Sequence, residues 1–105
     1  GTAIRVPTPN VSLVDFKFNT KKNITIEILN NKFQEYANSS LKGILGVDTD
    51  PKVSSDYNHD ARSSILDLSE TTTVSDNFGR VLTWYDNEWG FSNRMLETTA
   101  QVCNL

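Results

Sequence analysis

The segment VSLVDFKF, residues 11–18, alternates apolar and polar side chains along most of its length. Val14, Phe16 and Phe18 occupy every second position, and charged residues stand between them. Because successive side chains of a strand point to opposite faces, this pattern predicts a strand with one buried face. The fold is therefore expected to contain a sheet, and the flanking segments indicate its type.

Four other segments are also predicted to be strands. Residues 3–6 form a short apolar run that ends at PTPN, residues 7–10, where two prolines interrupt strand pairing. Downstream, the segments 43–47, 64–68 and 79–86 have the composition of extended chain. Glycines bracket the first of them, which predicts a short buried strand.

Two segments are predicted to be helices. Residues 25–37 carry apolar side chains at helical spacing, with Thr25 as the N-cap and Glu27 near the positive end of the helix dipole. Residues 92–103 carry a second apolar stripe, for which Ser92 is a possible cap. The polar stretch 54–64 has no sustained period.

The order of these elements predicts the fold class. Sequential strands lie too close together for helical crossovers between most of them. This favours an α+β fold with a mixed, mostly antiparallel sheet, one amphipathic helix packed on it and a C-terminal helix. A chain of 105 residues is long enough for one domain at most.

Composition excludes several function classes. The formal charge is −3 and the isoelectric point is about 5.0, which argues against nucleic-acid and lipid-headgroup binding. No apolar run approaches the roughly 20 residues that span a bilayer, and the start of the chain lacks the pattern of a signal peptide. The sequence therefore predicts a cytoplasmic location, with neither membrane nor nucleic acid as a partner.

The inventory of reactive side chains is sparse. The only cysteine, Cys103, falls on the terminal helix, and the only histidine, His59, falls in a polar loop. The sequence therefore predicts no nucleophile within hydrogen-bond reach of a general base. His59 is expected to be a solvated residue that bonds locally. The aspartates of the two polar loops lack a calcium-binding pattern and are expected to serve as turn residues, so no metal site is predicted. No glycine-rich loop is present to hold a nucleotide pyrophosphate.

Two stretches remain chemically unusual. Arg5 ends an apolar strand beside a proline-stiffened turn, where its guanidinium could hold an anion in a bidentate manner or pair with a neighbouring carboxylate. In WYDNEWGF, residues 84–91, aromatic residues surround one amide and two carboxylates at a strand-to-helix junction. For Trp84 and Trp89 the favoured interpretation is an aromatic cluster that anchors the last helix.

Four motifs in order carry a family resemblance, namely RVPTPNVS (5–12), LKGILG (41–46), VSSD (53–56) and WYDNEWG (84–90). Together they resemble the phosphorylating glyceraldehyde-3-phosphate dehydrogenases, over the C-terminal part of that much longer enzyme. The resemblance implies a fragment in which residues 1–91 are the C-terminal portion of the catalytic domain. Residues 92–105 would be the C-terminal helix that packs on the missing nucleotide-binding domain.

The resemblance also implies roles for individual residues. Arg5 matches the family's arginine that binds the substrate phosphate or inorganic phosphate. Asn87 matches the asparagine that contacts the nicotinamide carboxamide, and Phe91 stands where many members carry a tyrosine near the nicotinamide. Asp86 and Glu88 are expected to support the loop before the last helix. The nucleophilic cysteine and its activating histidine would lie upstream, so no catalytic residue is predicted in this segment.

The implied parent enzyme is a glycolytic oxidoreductase, a homotetramer. It converts glyceraldehyde 3-phosphate, phosphate and NAD to 1,3-bisphosphoglycerate and NADH, with NADP not excluded as the cofactor. Two alternatives stay open at this point. One is erythrose-4-phosphate dehydrogenase, which uses similar chemistry on a longer sugar phosphate. The other is a non-catalytic interaction module derived from the same fold. The isolated 105-residue segment is predicted to be inactive.

Overall fold

The computed structural model describes residues 1–104 and shows a five-stranded sheet with two helices. In chain order the elements are β1 (Thr2–Ile4), β2 (Ser12–Asn19), α1 (Ile26–Asn38), β3 (Leu45–Asp48), a 3₁₀ helix (Ser54–Tyr57), β4 (Ser64–Ser75), β5 (Phe78–Tyr85) and α2 (Trp89–Val102). The strand order is β1-β2-β5-β4-β3. Among these five described strands β3 and β4 pair in parallel and the other neighbours pair antiparallel, which confirms the predicted mixed, mostly antiparallel α+β fold.

The sheet has a small apolar core on each face. On one face α1 covers Leu66, Leu68 and Val81, and Phe33 of the helix packs against them. On the other face the loop before β4 brings Tyr57 against Ile65 and Val11. This second core includes Val11, which directly precedes β2, and Trp84 of β5 packs against it, so it joins the start of β2 to the end of β5.

The first helix forms as its sequence predicts. The Thr25 hydroxyl accepts a hydrogen bond from the Ile28 amide at 3.1 Å, which satisfies one of the unpaired donors of the first turn. Leu29 and Ala37 are buried on the face toward the sheet. Ile26 and Tyr36, which belong to the apolar positions of the same segment, are instead 44% and 45% exposed.

The strand boundaries differ from the predictions at three places. β1 ends at Ile4, so Arg5 belongs to the loop and not to the strand. β3 begins only at Leu45, because Gly43 adopts a φ of +81° in the turn that follows α1. β4 continues to Ser75 through a polar, threonine-rich stretch that pairs with β5 across two irregularities.

The second helix begins at Trp89, three residues before the predicted start, and Ser92 lies inside it. The cause is Asp86, whose Oδ1 accepts hydrogen bonds from the amides of Glu88 and Trp89. Gly90 lets the helix start approach the loop before β4, since a Cβ there would lie 2.9 Å from the Arg62 carbonyl oxygen. No helix of the described residues is long and apolar enough to cross a bilayer.

Candidate functional site

The loop between β1 and β2 and the turn between β5 and α2 meet at one end of the sheet. Ser12 is the first residue of β2 and pairs in register with Tyr85, the last residue of β5. The strand pairing therefore places the residues before Ser12 beside those after Tyr85. The two unusual stretches of the sequence come together here, although they lie at opposite ends of the chain.

Arg5 and Asn87 line the same small cleft. Its volume is about 30 Å³, and Ser12 and Glu88 also contribute to its walls. Arg5 is exposed, and it forms no ion pair within residues 1–104, so in this part of the chain it is not paired with a neighbouring carboxylate. Within the same range its guanidinium also donates no hydrogen bond to a side chain or carbonyl.

Asn87 also borders a second, larger cleft. This cleft has a volume of about 290 Å³, and Tyr85, Phe91 and Arg94 contribute to it. The Phe91 side chain is 64% exposed, so its ring is accessible from this side. Asn87 therefore stands between the cleft that holds Arg5 and the cleft that holds Phe91.

Asp86 holds this end of the sheet together. Its side chain is buried, and its Oδ2 accepts hydrogen bonds from Asn10 Nδ2 at 2.7 Å and from the His59 amide at 2.8 Å. Its Oδ1 accepts from the Trp89 amide at 2.9 Å. The Asp86 carboxylate thus links the β1–β2 loop, the loop before β4 and the start of α2. This agrees with the supporting role expected of Asp86.

His59 differs from its predicted local role. It is exposed, but its backbone amide bonds to Asp86 and its ring packs against Trp89 with the ring centroids 4.9 Å apart. Trp89 therefore helps to anchor α2. Trp84 does not join it, because Trp84 stacks on Tyr57 in the core with the centroids 5.5 Å apart.

The loop aspartates serve as turn residues, as predicted. Asp48, Asp56 and Asp60 each accept a hydrogen bond from a backbone amide two or three residues away. Among the described residues no group of three histidine, cysteine or acidic side chains is arranged to bind a metal ion.

We expect Asp86→Ala to destabilise the chain by about 3 kcal/mol at neutral pH, because three backbone amides and the Asn10 side chain would lose their acceptor. The free energy of unfolding in urea measures this. Asp50→Ala is the matched control, since Asp50 is exposed, and it should change stability by less than about 0.5 kcal/mol. Equal effects of the two substitutions would contradict the role of Asp86.

The same carboxylate should make stability depend on pH. Burial raises the pKa of Asp86, but hydrogen bonds from Trp89, His59, Asn10 and Glu88 outweigh it, so the pKa lies below its ordinary value of 3.8. A depressed pKa stabilises the fold above the unfolded-state value, and this stability is lost as the pH falls through the folded-state value.

Urea unfolding at a series of pH values measures this loss. The free energy of unfolding of the unsubstituted chain should fall more steeply below about pH 4 than that of Asp86→Asn, which cannot take up this proton. Parallel profiles would show that Asp86 is not the group responsible.

The chain matches known proteins over its whole length. Residues 1–87 match the family model described as glyceraldehyde 3-phosphate dehydrogenase, C-terminal domain. The chain is 48% identical over 105 residues to a glyceraldehyde-3-phosphate dehydrogenase of Cereibacter sphaeroides, with all of this chain and 32% of that protein covered. It is 49% identical over 105 residues to the enzyme of Xanthobacter flavus, again with all of this chain and 31% of the relative covered.

A relative from Zymomonas mobilis with the same name is 47% identical over 103 residues, which are 97% of this chain and 31% of that protein. The chain thus spans about a third of the length of these relatives. The chain belongs to the glyceraldehyde 3-phosphate dehydrogenase C-terminal domain family.

Proposed function

We propose that this chain supplies the phosphate-binding and nicotinamide-facing walls of the active site of a phosphorylating glyceraldehyde-3-phosphate dehydrogenase. The observation that carries the proposal is the shared cleft, in which Arg5 and Asn87 stand together. The names of the similar proteins favour this substrate over erythrose 4-phosphate. The class of reaction is the oxidation of an aldehyde with formation of an acyl phosphate.

Arg5 binds the phosphate in this proposal, either that of the sugar phosphate or the inorganic phosphate that attacks the acyl group. A guanidinium offers parallel N–H donors that match two oxygens of a phosphate. The cleft is too small to enclose a phosphate by itself. In this proposal the other walls would come from the parts of the enzyme that these 105 residues do not include.

Asn87 and Phe91 are the residues that would hold the nicotinamide end of NAD. The Asn87 carboxamide provides both a donor and an acceptor for the carboxamide of the ligand, and the exposed Phe91 ring offers an apolar face. When bound, NAD supplies the hydride acceptor. Asn87 and Phe91 would orient the nicotinamide ring. The rest of the dinucleotide requires a site elsewhere, so the choice between NAD and NADP does not depend on these two residues.

The proposal extends to the assembly of the whole enzyme. Residues 1–91 would form the C-terminal portion of the catalytic domain, and residues 92–105 the helix that packs on a nucleotide-binding domain. Phe91, Met95, Leu96 and Val102 on α2 are more than half exposed, which supports an apolar partner for this helix. The proposed parent enzyme is a cytoplasmic homotetramer of glycolysis.

A chimaera tests the proposed function. The 105-residue chain would replace the matching third of the Cereibacter sphaeroides relative, so that the relative supplies the upstream two thirds. We expect the chimaera to produce NADH from glyceraldehyde 3-phosphate and phosphate, with a lower kcat/KM for erythrose 4-phosphate. A folded chimaera of the relative's oligomeric size without turnover would overturn the proposal, and a preference for erythrose 4-phosphate would overturn the choice of substrate.

A further inference from the structure

The side chain of Asn87 is held by one residue, Ser12. The Asn87 Nδ2 atom donates to the Ser12 Oγ atom at 2.8 Å, and the Ser12 hydroxyl lies 3.0 Å from Asn87 Oδ1, within reach to donate back. Both side chains are partly buried. Within residues 1–104 the Asn87 carboxamide has no other hydrogen-bond partner.

Ser12 itself is firmly placed. Its backbone belongs to β2 and pairs with Tyr85, two residues before Asn87. The preceding residue, Val11, is buried with a φ of +70°, a conformation that a β-branched side chain adopts only when its surroundings impose it. On the other side of Val11, Asn10 bonds to Asp86. The two neighbours of Val11 in this loop therefore bind two consecutive residues of the turn, Asn10 to Asp86 and Ser12 to Asn87.

The hydrogen-bonding capacity of an asparagine explains what this contact achieves. The terminal torsion of an asparagine side chain is broad, so the amide plane of a solvated asparagine is poorly defined. The Ser12 hydroxyl meets the edge of the Asn87 amide, where it can accept from Nδ2 or donate to Oδ1. This fixes the plane of the Asn87 carboxamide and leaves at least one N–H and one lone pair for a ligand.

We propose that Ser12 is a positioning residue, which orients the Asn87 carboxamide toward the carboxamide of the nicotinamide. This inference rests on the proposed function and adds a residue to it. Ser12 would not need to touch the cofactor. It would act by keeping Asn87 in the orientation that binds, so that the orientation is established before the cofactor arrives.

The test uses Ser12→Ala in the chimaera described above. We expect the dissociation constant and the KM for NAD to rise about 5-fold, since one orienting hydrogen bond is lost, while the KM for phosphate stays unchanged. Ser12→Thr keeps the hydroxyl and should restore both values to within about 2-fold. Ser64→Ala is the matched control, because its hydroxyl bonds to Thr83 and not to Asn87, and it should leave NAD binding unchanged.

A second measurement needs no bound cofactor. In the isotope-labelled 105-residue chain, the side-chain amide protons of Asn87 should exchange with solvent more slowly than those of an exposed asparagine, and Ser12→Ala should abolish this difference. If the alanine chimaera fails to fold, Ser12→Cys in the chimaera provides the same comparison with a weak donor, and the KM for NAD should again rise.

The outcomes separate the inference from the function on which it rests. If Asn87→Ala leaves NAD binding unchanged, the proposed function fails at this residue. If Asn87→Ala weakens NAD binding but Ser12→Ala does not, the proposed function stands and the inference about Ser12 is overturned. Equal changes in the KM for NAD and for phosphate in Ser12→Ala would also overturn it, because they would indicate a general structural defect.

Discussion

The 105-residue chain alone should form no measurable NADH from glyceraldehyde 3-phosphate, phosphate and NAD. The proposed reaction needs a thiolate beside the nicotinamide, and the only cysteine lies at the far end of α2. A helix of 14 residues is about 20 Å long, so Cys103 cannot reach the cleft at Asn87. The ring of His59 packs against Trp89, and no thiol lies next to it.

Loss of a covalent nucleophile costs up to about 10⁶-fold in kcat, so we expect the turnover of the chain to be at least about 10⁴-fold below that of the chimaera. NADH absorbance, measured at equal molar concentration of the two proteins, makes the comparison. Cys103→Ser is the control for any residual signal, because the prediction requires that this substitution change nothing. Turnover by the chain within about 100-fold of the chimaera would contradict the proposed division of the active site.

Arg5→Gln in the chimaera should lower kcat/KM for glyceraldehyde 3-phosphate by about 100-fold, since a charge-assisted bidentate contact to phosphate would be lost. The KM for NAD should stay unchanged, because Asn87 and the upstream domain remain intact. Arg5→Lys should recover only part of the loss, as an ammonium group keeps the charge but not the fork of donors. Steady-state kinetics with the aldehyde, phosphate and NAD varied in turn measure all three effects.

Arg80→Gln is the matched control for this experiment. Arg80 also carries a guanidinium, but it bonds to Asp15 on the sheet at 2.9 Å and does not line the cleft with Arg5. Its removal takes away the same charge and should leave the kinetic constants for phosphate within about 2-fold. If Arg5→Gln and Arg80→Gln reduce kcat/KM equally, the effect comes from net charge or stability, and Arg5 has no special role at the phosphate.

The features that sequence predicted correctly are those determined by neighbouring residues. Thr25 caps α1 because its hydroxyl reaches an amide three residues away, a contact that the local sequence contains in full. The alternation around Phe16 and Phe18 likewise predicted a strand correctly, because it depends only on the geometry of one strand. The predicted buried face was wrong, since Phe16 is 47% exposed and Val14 and Phe18 are only partly buried. Local reasoning also singled out the stretches that contain Arg5 and Asn87, but the roles of these two residues rest on the resemblance to the family and stay predictions.

The features that sequence missed depend on distant contacts. Ser92 is a good cap by composition, but α2 starts earlier because Asp86 accepts the amides of its first turn while also binding Asn10 and His59. The polar end of β4 shows no strand pattern, and it is extended because β5 folds back on it. The bond between Ser12 and Asn87 has no local signature, since only the pairing of β2 with β5 brings these residues together.

The pairing of β2 with β5 has a consequence for how the cleft comes into existence. The hydrogen bonds from Asn10 to Asp86 and between Ser12 and Asn87 join residues that are 76 and 75 positions apart. Closing so long a loop lowers the conformational entropy of the chain, and only the interactions of the completed sheet offset this loss. A short excised peptide that carries either motif therefore lacks the cleft. Formation of the cleft and cooperative folding of the chain are thus a single event, and anything that melts the sheet abolishes both.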